Sequence, residues 1–329
     1  MKRIHSSIIL SMSAALIFAG FTSCVSLPVP GGDEGFSTEM AVLGAITSSV
    51  ESIEKASETI TPEEEYYIGR SVAASIATQF PVDHGNLQMT TYLNNICETL
   101  VMNSDKPYLF KGYYVVILDT DEINAMATPG GHIFVSRGLI DCTDSEDALA
   151  AVLAHEIAHV QLGHSVSAIK ASRVRSAVSS TTKAVAVTSI AVANERAGAY
   201  GVKLSDKEMK KVMEAVDTFS DMSNEVVKTL VNTGFSKEQE FEADKNALYI
   251  MQSAGYDPYA MLDMLGQIEE SSSNTGWGST HPSPKDRIKK VNKELTAMQK
   301  AGTIEKQGKE VRKERFDVEY EDYKIFEIN

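Results

Sequence analysis

His155, Glu156 and His159 stand in the order H-E-x-x-H inside residues 151–164, A-V-L-A-H-E-I-A-H-V-Q-L-G-H. Each helical residue advances the chain by about 100°, so the two histidines project one turn apart and about 40° from each other. Two imidazoles so placed can grip one metal ion. Glu156 lies beside that face, near enough to take a proton from a water held at the metal. Ala151, Val152, Leu153, Ile157, Ala158 and Val160 make the helix apolar nearly all round, as expected of one buried beneath a site.

Two nitrogen ligands do not complete a catalytic zinc site, which needs three protein ligands and an open position. The pattern H-E-x-x-H-x-x-G-x-x-H wants Gly at 162 and His at 165, where this chain has Leu162 and Ser165. Gly163 and His164 are one residue out of register. On a continuous helix His164 points about 180° from His155, so it reads as a polar residue at the helix end. The third ligand is sought in residues 235–244, F-S-K-E-Q-E-F-E-A-D. Glu240 and Asp244 share a helix face, while Glu238 and Glu242 point about 200° away and read as solvated. A carboxylate from this second helix, Glu240, gives a His₂Glu set, and an acid one turn on can accept the free ring N–H of a ligand histidine.

The elements that must hold these residues are legible in part. Thr61 caps a helix opened by Pro62 and Glu63 to Glu65 and running to about Phe80, and a second helix is expected over residues 87–102. Short apolar runs at 113–118, 123–127 and 132–135, joined by turn residues such as Pro129-Gly130-Gly131, predict a small, mostly antiparallel sheet. The strand just ahead of the metal helix is expected at a sheet edge, where it could pair with an extended peptide. Thr143 and Glu146 have capping-box spacing for the metal helix itself. Residues 166–197 read as an Ala-rich helix or helix pair, and 205–232 as an amphipathic helix. The tail from about 300 is charged and helix-prone, then alternates over 315–326 as an edge strand or docked extension would.

Residues 1–23 combine Lys2 and Arg3 with an apolar run too short to span a bilayer comfortably, which suits a signal peptide. Small residues before Cys24 are similar to a bacterial lipobox, so Cys24 is the expected lipidation site and the chain is expected to face the periplasm, tethered to a membrane. Residues 24–60 read as the tether, rich in Pro and Gly at its start. The domain is then expected over 61–295, with an extension over 296–329. A net charge of −14 over 329 residues argues against nucleic acid as a partner. Cys97 and Cys142 could pair in an oxidising compartment, but two cysteines make no disulfide framework, and buried thiols are the expectation.

The joint pattern, His155-Glu156-x-x-His159 followed by S-K-x-x-Glu240-x-E-A-Asp244, resembles peptidase family M48, zinc metallopeptidases that include CAAX-prenyl proteases and envelope quality-control peptidases of bacteria. Asn124-Ala125-Met126-Ala127-x-Pro129-Gly130-Gly131, Gly138-Leu139-Ile140, the E-x-x-x-G of Glu65 and Gly69, and Thr280-His281-Pro282 followed by Arg287 extend the likeness. Lys237 and Met126 stand where the family usually has Arg and Phe, away from any ligand. The resemblance implies an α+β, mostly helical, zincin-like (gluzincin) domain. It implies one Zn²⁺ bound by His155, His159 and Glu240, Glu156 as general base and then acid, and Asp244 orienting His155. Asn124 and Ala125 would align substrate as an added strand, with Arg287 supporting the site and binding substrate. His281 would sit over the metal, plugging its open position or steadying the oxyanion. The implied substrates are misfolded or misassembled envelope proteins. The alternative is a zinc-stabilised, chaperone-like lipoprotein that holds clients without cutting them.

Overall fold

The computed structural model describes residues 59–170, 226–271, 281, 283–304 and 308–327, all within one compact unit, Glu51–Asn329. The signal segment, Cys24 and most of the tether lie outside the described residues. So do most of the helices expected over 166–197 and 205–232, and the neighbours of His281 at 280 and 282.

Helix α1, Pro62–Gln79, opens on a full capping box in which Thr61 accepts from the Glu64 N–H and the Glu64 carboxylate accepts from the Thr61 N–H. Helix α2, Leu87–Met102, has the bounds its apolar periodicity predicts. A three-stranded sheet follows: β1 (Tyr114–Leu118), β2 (Ala125–Ala127) and β3 (His132–Ser136), in the order β1-β3-β2. β2 and β3 form an antiparallel hairpin with Met126 opposite Phe134. β1 pairs parallel with β3, Val116 opposite Phe134, so the sheet is mixed where a mostly antiparallel one was expected. The cause is the connection between β1 and β2, which passes over the end of β3 and leaves β3 in the middle. Gly138 permits that crossing, because a Cβ there would overlap the Asp121 carbonyl. Consequently the strand ahead of the metal helix is central, and the edge that a peptide could join is β2.

Helix α3 (Arg137–Cys142) leads into α4 (Glu146–Leu162), on which every residue from Glu146 to Gln161 is buried. Its N-cap is Ser145, which accepts from the Ala148 N–H. Thr143 instead bonds back to Ile140 at the end of α3. Ala148, Ala150, Ala151, Ala154 and Ala158 keep α4 slim, so neighbouring helices approach closely. These neighbours are α2, α5 (Lys237–Ser253), α6 (Ala260–Ser271) and α8 (Lys309–Glu327), and α7 (Pro284–Lys300) packs against α5 and α6. One apolar cluster joins α2, α4, α5 and α6 to the sheet face of Val115, Ile117, Ala125, Ala127, Ile133 and Val135. A second lies on the opposite face, where Ile68, Val72 and Ile76 of α1 meet Leu118, Met126 and Phe134.

The tail is helical, and docked. Phe316 and Tyr323, seven residues apart and therefore on one helix face, are its buried anchors. α8 also serves the start of α4, where two buried acids sit in the first turn. Arg315 Nε donates to Glu146 at 2.5 Å, Tyr92 Oη donates to the same carboxylate at 2.9 Å, and Arg312 Nε donates to Asp147 at 2.9 Å. Acids there suit the positive end of the helix dipole. At the other end the Lys106 ammonium caps the Gln161 carbonyl.

Candidate metal centre and active site

α4 presents His155 and His159 on one face, their Nε2 atoms 3.0 Å apart. α5 runs against α4 and brings Glu240 across from them, with its carboxylate oxygens 3.6 Å from His155 Nε2 and 3.4 Å from His159 Nε2. The Ser236–Gln239 capping box fixes where α5 begins and so where Glu240 stands on its first turn. His281 Nδ1 lies 2.7 Å from Glu240 Oε2, and its side chain is 6% exposed. One potential ligand atom from each of His155, His159, Glu240 and His281 lies within 4.8 Å of all the others. These four residues form a metal site. The donor set of imidazole nitrogens and a carboxylate suits Zn²⁺. Glu240 Oε1 is buried without a hydrogen-bond partner among the described residues, as a side chain kept for a cation would be.

Asp244, one turn beyond Glu240, stands beneath His155 with Oδ1 3.0 Å from its Nδ1. Arg287 of α7 clamps the same carboxylate, Nε to Oδ2 at 2.9 Å and Nη2 to Oδ1 at 2.6 Å. Arg287 is 0% exposed and faces Asp244, Glu240 and His155, so its guanidinium lies under the site and not on a surface open to substrate. Burial opposes ionisation of Asp244, but Arg287 and His155 outweigh it and hold its carboxyl at about 2.

The two touching imidazoles cannot both carry charge. Burial drives His159 down to about 3. Burial and Arg287 also oppose protonation of His155, yet its bonds to Asp244 and Glu240 prevail and raise it to about 9. Glu156 is buried beside them, and burial pushes its carboxyl up to about 7 against the pull of His155 and an N–H bond from Ala127. Its Oε1 has no hydrogen-bond partner among the described residues.

The Ala127 bond follows from the register of β2. Residues 124, 126 and 128 turn their backbone groups toward β3: the Ser136 N–H donates to the Asn124 carbonyl at 2.9 Å, and the Thr128 N–H to the His132 carbonyl at 2.8 Å. Ala125 and Ala127 therefore turn theirs the other way. Asn124 is 5% exposed, with Oδ1 buried and unpartnered among the described residues. The E-x-x-x-G pair holds the far end of this strand, since Glu65 accepts from the Gly130 N–H at 3.3 Å and a Cβ on Gly69 would overlap the Pro129 carbonyl.

Two neighbours of His159 escaped the sequence reading. Phe235 stacks on its ring at 4.3 Å between centroids, and His164 approaches its other edge. The hint for His164 was Gly163, whose φ of 69° ends α4 and cancels the continuous-helix geometry.

The model of peptidase family M48 matches residues 87–295, well over half of the chain. The chain belongs to peptidase family M48. It is 26% identical over 237 residues to the beta-barrel assembly-enhancing protease of Escherichia coli (strain K12), covering 71% of this chain and 44% of that one. To the mitochondrial metalloendopeptidase OMA1 of Schizosaccharomyces pombe it is 28% identical over 218 residues, 64% of this chain and 54% of that one. Against metalloprotease LoiP of Escherichia coli (strain K12) the figures are 26% over 217 residues, 64% and 73%. The chain thus spans about half the length of the first two relatives. The match to the M48 model ends at residue 295, inside α7, so α8 lies beyond it.

Proposed function

We propose that this chain is a zinc-dependent endopeptidase acting on unfolded or misassembled proteins of a bacterial cell envelope. The observation that carries the reading is the convergence of His155, His159 and Glu240 beside a buried Glu156, one carboxylate oxygen of which has no partner among the described residues. His155, His159 and Glu240 hold the ion. A zinc ion so held supplies Lewis acidity, polarising a peptide carbonyl and lowering the pKa of a water to about 7. Glu156 takes a proton from the attacking water at Oε1 and later returns it to the leaving amine. Asp244 keeps the ring proton of His155 on Nδ1, and Arg287 holds Asp244 in place, a support in place of the direct substrate contact expected from the sequence.

Substrate enters extended. The outward backbone groups of Ala125 and the Ala127 carbonyl offer one more strand a place on β2, and Asn124 Oδ1, without a partner among the described residues, offers a further acceptor. A strand bound through its backbone is read with little regard to sequence, which suits unfolded clients. His281, bonded to Glu240, acts as a resting plug. Names of two relatives, beta-barrel assembly-enhancing protease and LoiP from Escherichia coli, support an envelope setting, as does the signal segment with Cys24 as lipid anchor. No described helix is long and apolar enough to cross a membrane.

The test is to incubate the purified chain with an unfolded protein, with and without chelator, beside Glu156→Gln. Cleavage lost in both treatments is expected. Cleavage that survives them removes this mechanism, and capture of the client without any cleavage favours the chaperone-like alternative.

A further inference from the structure

His164 borders the metal site without belonging to it. If α4 continued past Leu162, His164 would stand about 140° around the axis from His159. The left-handed turn at Gly163 redirects the chain, and residues 164–170 resume as helix on a new course. The two rings meet edge to face with centroids 4.9 Å apart, and their Nδ1 atoms are 2.8 Å from each other. His164 is 4% exposed, and its Nε2 has no hydrogen-bond partner among the described residues, though Glu242 Oε2 lies 3.6 Å away.

A hydrogen bond between two ring nitrogens requires a proton on one and a lone pair on the other. His159 Nε2 points into the ligand cluster, 3.0 Å from His155 Nε2 and 3.4 Å from Glu240 Oε1. As a ligand it must offer its lone pair there, which places the ring proton on Nδ1. His164 Nδ1 is then the acceptor, and the proton of His164 sits on Nε2, toward Glu242.

We propose that His164 is a positioning residue for metal binding: it accepts the Nδ1 proton of His159 and so fixes the tautomer and ring plane that ligation needs, with Glu242 behind it. The inference rests on the metal-site reading of His159. Each ligand histidine then has its own acceptor, Asp244 for His155 and His164 for His159. Phe235, stacked on the His159 ring, fixes the remaining freedom, its tilt.

The test measures zinc affinity of the full chain by competition with a chromophoric chelator, for wild type, His164→Asn and His164→Leu. Asn puts an oxygen acceptor where Nδ1 stood, and Leu fills the space without one. Leu is expected to weaken zinc binding about 10–100-fold, the usual scale for losing such a partner, with Asn recovering most of the loss. Equal losses in both variants, or none in Leu, overturn the proposal. Nitrogen NMR of the zinc-loaded wild type decides independently should Leu fail to fold. A proton on Nδ1 of His159 and on Nε2 of His164 supports it, and a proton on Nδ1 of His164 overturns it. A wild type that binds no zinc removes the metal-site reading and this inference with it.

Discussion

Asp244 Oδ1 lies 3.0 Å from His155 Nδ1 and 2.6 Å from Arg287 Nη2, so one buried carboxylate oxygen serves a ligand imidazole and a guanidinium at once. The arrangement orients His155 only while Arg287 stays in place. Removing the arginine leaves Asp244 charged and buried without its main counter-ion, a loss on the order of 3–5 kcal/mol. Arg287→Ala is therefore expected to unfold at markedly lower denaturant, and near-wild-type stability would show the pair to be dispensable.

The same carboxylate sets an acid limit. Its folded pKa of about 2 lies below the ordinary value near 3.9, so the stability it contributes is full above that ordinary value. That contribution is lost as pH falls through about 2. Equilibrium unfolding between pH 5 and 2 is expected to show a flatter acid limb in Asp244→Asn than in wild type.

Glu156→Gln keeps the shape of the side chain and removes its basicity. Peptidase activity should drop at least about 10²–10⁴-fold, the range for general acid–base help, with chelator-competition zinc affinity and melting temperature close to wild type. Burial lifts Glu156 to about 7, and a cation beside it pulls the other way. The acid limb of kcat/KM in the zinc-loaded protein is therefore expected below 7 and should vanish from the residual activity of Glu156→Gln.

His281→Ala removes the imidazole 2.7 Å from Glu240. If that ring plugs the site at rest, initial rates on an unfolded substrate rise. A fall in kcat assigns it to the transition state instead.

α8 lies beyond the M48 match yet neutralises the start of the metal helix. Arg315→Ala leaves Glu146 buried with two neutral partners, the hydroxyls of Tyr92 and Tyr256, and no counter-ion from Arg315, an expected cost of about 1–3 kcal/mol in chemical denaturation. An unchanged midpoint would show that the Arg315–Glu146 pair adds nothing to stability.

What the sequence disclosed was mostly local. The spacing of His155 and His159, and that of Glu240 and Asp244, needed only helical periodicity, and Thr61-Pro62 announced α1 through its cap. Partners in space were harder to read. Nothing in an apolar run says which neighbour it will pair with, so the parallel β1–β3 ladder and the central place of β3 were missed. The alternation of Phe316, Val318 and Tyr320 suggested a strand, although the buried anchors Phe316 and Tyr323 obey a seven-residue helical interval. His164 was misplaced because one left-handed glycine cancels any extrapolation along a helix.

The ligands stand at positions 155, 159 and 240, and the helix carrying the first two is charge-balanced at its start by Arg312 and Arg315 of α8. During synthesis the two imidazoles must therefore wait for Glu240, 81 positions beyond His159, before three ligands can meet.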